Sequence, residues 1–291
     1  MTLSSKLSNP LQCPVCKNSL MRSSTLYYCE HNHHFDQSRK GYTNLLLANQ
    51  KRSSSPGDSK EMTQARFDFL SKGYYQPIAE AINDCLKDPI MNSLSPPLTV
   101  VDSGCGVGYY LDFIRQNYPE ILDLWGIDIS KEAIKKAASA YSNSAHWFVS
   151  SMKALPFSNE SIDCVLSVFA PLQAPEINRI LKKSGFLLTV TPAANHLIEC
   201  RRQLFDQIKE IDSHKIEDKL EKEFSLLKFL PICYKIHIEK CDIINLLKMT
   251  PYYWKSDPQQ QKILESLPEM TVTVDMTLCL FQKKVSHDLS S

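Results

Sequence analysis

A mostly parallel, doubly wound α/β sheet behind a small metal-stapled N-terminal segment is the fold that this 291-residue sequence predicts. Three observations predict it. From residue 98 onward, apolar strand patterns alternate with amphipathic helix patterns, as they do where crossover helices join parallel strands. A glycine-rich turn at 104–108 follows the first of those strands. Before residue 49 the chain carries spaced cysteines and histidines, but too few residues to close a core unaided.

The elements follow in order. NQKRSSSPGDS, 49–59, is polar, contains a Pro-Gly turn signal and separates the two parts. Asp58 is placed to cap a helix with Glu61 at its third position, and that helix runs through EMTQARFDFLSKG. A second helix covers QPIAEAINDCLKD and stops before the Pro-rich stretch at 89–97. LTVVD then reads as a buried strand, VGYYLDFIRQN as a helix, LDLWGID as a second strand, and SKEAIKKAASAY as a helix capped by Ser130. AHWFV, SIDCVLSVF and GFLLTVT supply three more short apolar strands. PICYKIHIEK and TVTVDMTLCLF alternate with period two, as half-exposed antiparallel strands do. The expectation is a seven-stranded sheet, five parallel strands closed by an antiparallel pair. Residues 1–48 form a metal-binding domain, 49–97 a linker with helices, and 98–291 the sheet domain.

Composition bounds the partners. The apolar fraction of 43% and charged fraction of 22% are ordinary for a globular chain, and a net charge of +1 argues against wholesale wrapping of nucleic acid while permitting a local basic face. The N-terminus has no apolar signal region, and no run approaches the roughly 18 apolar residues of a membrane span. Ten cysteines in such a chain point to reduced thiols and a cytoplasmic location. Three precede residue 30 in a spaced pattern; the other seven, Cys85 to Cys279, are expected as small buried apolar side chains.

VVDSGCGVGYY places Asp102 at a strand end and glycines at 104, 106 and 108. A dinucleotide fingerprint would need its third glycine at position 109, which is Tyr109. The pattern D-x-G-x-G-x-G is instead the turn of S-adenosylmethionine-dependent methyltransferases. Its glycines let backbone approach the donor's methionine and ribose, with no pyrophosphate to cradle. The expected sheet is therefore the Rossmann-like class I methyltransferase fold. Asp128, ending the strand in WGIDIS, is placed to accept both ribose hydroxyls. Ser150, Ser151 and Met152, at the third strand's end, are candidates to face the adenine, with plain loop packing as the alternative. VFAPL after the fourth strand lacks the N-P-P-aromatic turn of exocyclic-amine methyltransferases, so Phe169, Ala170 and Pro171 argue against adenine-N6 chemistry.

Cys13, Cys16, Cys29 and His33 give C-x2-C-x12-C-x3-H, the spacing of a structural Cys3His zinc site with no open position for water. Spacing favours His33 as the fourth ligand. His34 would give C-x4-H and stays within the range of zinc ligands, whereas His31 is cramped.

Read together, CPVC, CEHNHHFDQSRKGYTNLL, KRSSSPGDSKEMTQARFDFLSKGYYQP, VVDSGCGVGYY, LPFSNESID, TPAANHLIE and MTPYYWK resemble the RlmA family of 23S rRNA guanine-N1 methyltransferases, over nearly the whole chain. The resemblance implies methyl transfer from S-adenosylmethionine to N1 of a guanine in a 23S rRNA hairpin. It implies zinc ligands at Cys13, Cys16, Cys29 and His33, and donor contacts at Tyr75, Gly106, Val107 and His196. Tyr75 and His196 would otherwise read as a core aromatic and a solvated histidine. The chain departs from the family at Val107, often acidic there, and at Lys183-Ser184-Gly185, usually P-G-G; the basic residue after Glu199 is kept as Arg201.

Lys40, Lys51 and Arg52 beside the zinc segment make a candidate phosphate-contacting edge, and Tyr42 a candidate base-stacking platform. A solvated loop and a packed aromatic are the bland alternatives. A carboxylate or polar group near VFAPL is expected to take the N1 proton, with no residue singled out; Asp163, at the start of its strand, lies at the wrong end. Two rival functions are a small-molecule methyltransferase with a structural zinc and a non-catalytic zinc-containing rRNA-binding factor. The basic linker and the metal segment favour RNA. One chain or two could span the RNA, which leaves a homodimer open.

Overall fold

The computed structural model describes residues 9–51, 53–87, 97–119, 122–208, 210–211 and 219–285. Arg52, and the Pro-rich stretch except Pro97, lie outside the described residues. Strands β1 (Met21–Arg22), β2 (Leu26–Tyr28) and β3 (His34–Asp36) form a small antiparallel ribbon. A short strand β4 (Tyr42–Asn44) leaves the ribbon, and helices α1 (Lys60–Ser71) and α2 (Gln76–Lys87) lead onward. The large sheet contains β5 (Leu98–Ser103), β6 (Leu122–Asp128), β7 (His146–Val149), β8 (Ile162–Val168), β9 (Leu181–Pro192), β10 (Phe224–Glu239) and β11 (Glu269–Lys283). Between and after these strands lie α3 (Tyr109–Asn117), α4 (Lys131–Ala140), α5 (Ala174–Ile180), α6 (Ile198–Leu204), α7 (Lys240–Lys248) and α8 (Pro258–Ser266).

The sheet order is β10-β11-β9-β8-β5-β6-β7-β4. Strands β7, β6, β5, β8 and β9 run parallel, and β11 is antiparallel to both its neighbours, as the sequence pattern predicts. The sheet has eight strands rather than seven, because β4 adds in parallel to β7, with Tyr42 opposite Trp147. Three residues carry no periodicity that the sequence could expose. Strand β10 begins at Phe224 rather than at Pro231; as an edge strand with a register shift between Leu226 and Lys228, its first half exposes Leu226, Leu227 and Phe229 and so lacks alternation.

Period-two alternation on the buried strands feeds two cores. Val100, Leu124, Leu166 and Leu188 face the layer built by α2, α3, α4 and α7. Val101, Trp125, Val165 and Leu187 face α5 and the zinc ribbon, whose Leu11, Leu20 and Tyr27 join that core. The ribbon thus takes the place of part of a helical layer. It is tied down by a bridge from Leu11 to Phe157, by Gln12 N donating to Pro156 O at 2.9 Å, and by the Tyr27 ring 5.4 Å from Phe148.

Local signals account for most boundaries. Ser130 caps α4 by accepting from Ala133 N at 3.2 Å, as predicted. Ser59, not Asp58, caps α1, accepting from Met62 N at 3.2 Å. Asp58 instead meets Arg66 at 2.7 Å, an ion pair 8 residues apart that local capping rules do not anticipate. All ten cysteines are free; of the scattered seven, Cys233 and Cys241 are exposed rather than buried. Among the described residues no helix is long and apolar enough to cross a membrane.

Candidate active site and metal centre

Cys13, Cys16, Cys29 and His33 bring their ligand atoms within 4.8 Å of one another. His33 Nδ1 lies 3.6 Å from Cys13 Sγ and 3.4 Å from Cys29 Sγ, and Cys16 Sγ lies 3.6 Å from Cys29 Sγ. A tetrahedron with Zn–S near 2.3 Å and Zn–N near 2.0–2.1 Å has edges of roughly 3.5–3.8 Å, so the four atoms fit zinc. Against the burial that raises it, amide donors at His33 and His31 and the Cys16 thiol hold the Cys29 thiol down to about 6, which favours the thiolate a metal needs. His34 instead sits exposed on β3 with its ring 6.3 Å from Tyr28, and His31 faces Asn18. The geometry separates the two neighbouring histidines that spacing left in competition.

At the carboxyl ends of β5, β8 and β9 lies a cavity of about 390 Å³. Its floor is the turn between β5 and α3. Gly104 N and Cys105 N donate to Ile127 O at 2.7 and 3.0 Å, stitching the turn to β6. Gly104 (φ +93°) is held so close to the β8 exit that a Cβ there would lie 2.5 Å from Ala170 Cβ. The roof comes from both flanks of the sheet domain: Arg66 and Leu70 of α1, Tyr75 after it, and Met249 to Tyr252 after α7.

Six of the eight predicted donor-site residues, Tyr75, Asp102, Gly104, Gly106, Val107 and His196, line this cavity. Gly108 and Asp128 do not. Gly108 (φ +85°) packs under the turn, where a Cβ would lie 2.6 Å from the Trp147 ring. Asp128 accepts from Gly106 N at 2.9 Å and Ser130 N at 2.7 Å, so it braces the turn from below. Burial pushes its carboxyl up, with the two amides working against that. Ser150 and Ser151 are buried and, with Met152, lie outside the lining.

Asp102 is 1% exposed, and neither carboxylate oxygen has a hydrogen-bond partner. Burial, and then the neighbouring Asp128, push it up to about 8. The Tyr110 hydroxyl, also on the cavity wall, is buried and unpartnered as well. Orphaned buried polar atoms are rare unless a ligand completes them. An unpaired carboxylate beside a tight glycine turn suits a cationic donor such as a sulfonium amino acid. Further along the wall, Phe169 (φ +56°) has its ring 5.9 Å from Tyr75 and 6.4 Å from His196, the latter pair inclined by only 19°. His196 is buried; burial and then Arg201 pull its imidazole down to about 3, so it is neutral. Its Nδ1 faces Asp275 N at 3.5 Å, which assigns the ring proton to Nε2.

Sequence reasoning did not single out Arg66, Tyr110 or the Met249–Tyr252 segment as cavity residues. Their sole signal was position within ARFDFL, VGYY and MTPYYWK. Tyr42, offered by the sequence for base stacking, is buried in the core against β7 and cannot stack on RNA. Lys40 and Lys51 are exposed. Asp163 accepts from Thr99 N and Lys182 Nζ at the far end of β8, away from the cavity.

Comparison with known proteins bears on both parts. The family described as "RlmA, N-terminal", a zinc ribbon, matches residues 11–54, and "Methyltransferase domain" matches residues 100–188. A candidate 23S rRNA (guanine-N(1)-)-methyltransferase of Bacillus subtilis (strain 168), YxjB, is 30% identical over 94% of this chain and 96% of its own length. The 23S rRNA (guanine(748)-N(1))-methyltransferase of Streptomyces fradiae is 29% identical over 92% of this chain and 96% of its own. A candidate 23S rRNA (guanine-N(1)-)-methyltransferase of Micromonospora griseorubida is 28% identical over 94% and 97%.

Proposed function

We propose, because the chain belongs to the RlmA family of 23S rRNA guanine-N1 methyltransferases, that it transfers a methyl group from S-adenosylmethionine to N1 of a guanine in a hairpin of 23S rRNA. The observation that carries the reading is the pairing of a Cys3His ribbon, fixed to the sheet, with a cavity whose buried Asp102 has no partner. The donor supplies an electrophilic methyl on a sulfonium, and transfer forms the N1–C bond as the C–S bond breaks.

What the chain contributes is alignment, which can supply most of such a rate enhancement. Asp102 answers the donor's positive charge. The turn at Gly104 and Gly106 admits its methionine tail, and Asp128 holds that turn in place by accepting from Gly106 N. Tyr75, Val107 and His196 border the same space. Guanine N1 faces its Watson–Crick partner in a helix, so the base must enter the cavity unstacked. Phe169 and His196 offer aromatic faces for it, and neutral His196 presents an Nε2–H suited to a carbonyl oxygen. Among the described lining residues Asp102 is the one carboxylate, and it serves the donor. The N1 proton passes to solvent as the N1–C bond forms. The zinc ribbon has four ligands and a structural role, with Lys40 and Lys51 available to phosphates.

Incubating the protein with unmodified 23S rRNA fragments and labelled donor tests this. Label on RNA at one hairpin guanine is expected; label on a small metabolite instead would replace the reading with small-molecule methylation.

A further inference from the structure

The methionine portion of the donor is a zwitterion, carrying a carboxylate as well as an ammonium. Asp102 gives the cavity a buried, unpartnered carboxyl to meet the ammonium. The sequence motifs name no cation to match the carboxylate, yet the cavity has one: among its described lining residues Arg66 is the single arginine or lysine. Arg66 sits in the middle of α1 with its side chain 25% exposed. Its Nε donates to Asp58 Oδ2 at 3.0 Å, and its Nη2 lies 2.7 Å from the same oxygen and donates to Met249 O at 2.9 Å. Nη1 has no hydrogen-bond partner among the described residues. The side chain crosses the centre of the glycine turn, since its Cδ lies 3.6 Å from where a Cβ on Gly106 would be. Its charge also reaches Tyr75 and Tyr110 on the cavity wall.

The two fixed nitrogens matter. Asp58 precedes α1 and Met249 follows α7, so the guanidinium plane is held from two separate segments with Nη1 left unused. A preorganised guanidinium loses little further entropy when it binds a carboxylate, and charge-assisted bonds of this kind are the strong ones. We propose that Arg66 is a donor-binding residue whose Nη1 takes the α-carboxylate of the donor's methionine portion, while Asp102 takes its cationic end. The proposal rests on the donor reading above and names the group that recognises the amino-acid tail.

Calorimetric titration with two ligands tests it: S-adenosylhomocysteine, and S-adenosyl-3-thiopropylamine, which is the same molecule without the carboxylate. The parent protein should prefer the carboxylate-bearing ligand. In Arg66→Gln, affinity for S-adenosylhomocysteine should fall about 10- to 100-fold, the usual range for one charge-assisted bond, while that for the decarboxylated ligand changes less than about twofold. Asp58→Asn, which keeps the guanidinium, should retain the preference. Equal losses for both ligands in Arg66→Gln would assign Arg66 a structural role and overturn the proposal, as would no loss for either. A parent protein that binds neither ligand would instead overturn the donor reading itself.

Discussion

Asp102→Asn should make the free protein more heat-stable while weakening donor binding, and the gain should depend on pH. In the free protein the Asp102 carboxyl is raised from 3.8 to about 8 by burial and by Asp128. Between those values the native state keeps a proton that the unfolded chain has released. Stability therefore falls as pH rises from about 4 to about 8 and is lowest above that. Each tenfold change in proton affinity is worth about 1.4 kcal/mol, which sets a ceiling of about 6 kcal/mol; relaxation and water in an open cavity reduce this to roughly 1–3 kcal/mol. For a domain of this size each kcal/mol moves Tm by about 2 °C. The asparagine variant should then melt about 2–6 °C higher than the parent at pH 8 and level with it near pH 4. Scanning fluorimetry from pH 4 to 8.5, paired with calorimetry using S-adenosylmethionine, measures both arms. Donor affinity should fall at least about tenfold, because a cation would lose its charged partner. A difference in Tm that does not vary with pH, or unchanged donor affinity, would refute the reasoning.

Other outcomes follow from the same geometry. His33→Ala should lose bound zinc and His34→Ala should keep it, read by metal analysis of the purified proteins; Cys13→Ser with Cys16→Ser should lose both zinc and rRNA affinity. Gly104→Ala should cost about 2 kcal/mol or more and block donor binding, because φ is +93° and its Cβ would meet Ala170 at 2.5 Å. Gly106→Ala, with its nearest neighbour at 3.6 Å, should cost about 1 kcal/mol. Urea unfolding midpoints rank the two.

The sequence disclosed the parts of this protein whose signals are local. Alternation gave the strands, Ser130 gave a cap, and C-x2-C-x12-C-x3-H gave the metal set to within one histidine. It could not disclose what depends on contacts between distant segments. Strand β4 is three residues long and has meaning only beside β7. Asp58 looked like a cap because its partner, Arg66, lies 8 residues on and itself donates to a loop 183 residues further along. Tyr42 looked available because nothing local hides it; Trp147 and its neighbours do. The cavity shows the same division. Its floor is one contiguous motif and was legible, whereas Arg66, Tyr110 and Met249–Tyr252 are gathered by the fold alone.

The measurement that tests the central claim most directly is reverse transcription across unmodified 23S rRNA fragments after incubation with the protein and S-adenosylmethionine. A methyl on guanine N1 blocks pairing, so the account predicts a donor-dependent stop at one hairpin guanine, absent with Asp102→Asn. Methylated RNA with no stop would place the methyl elsewhere than on a pairing edge. No methylation of RNA, by a protein that binds the donor, would contradict the account outright.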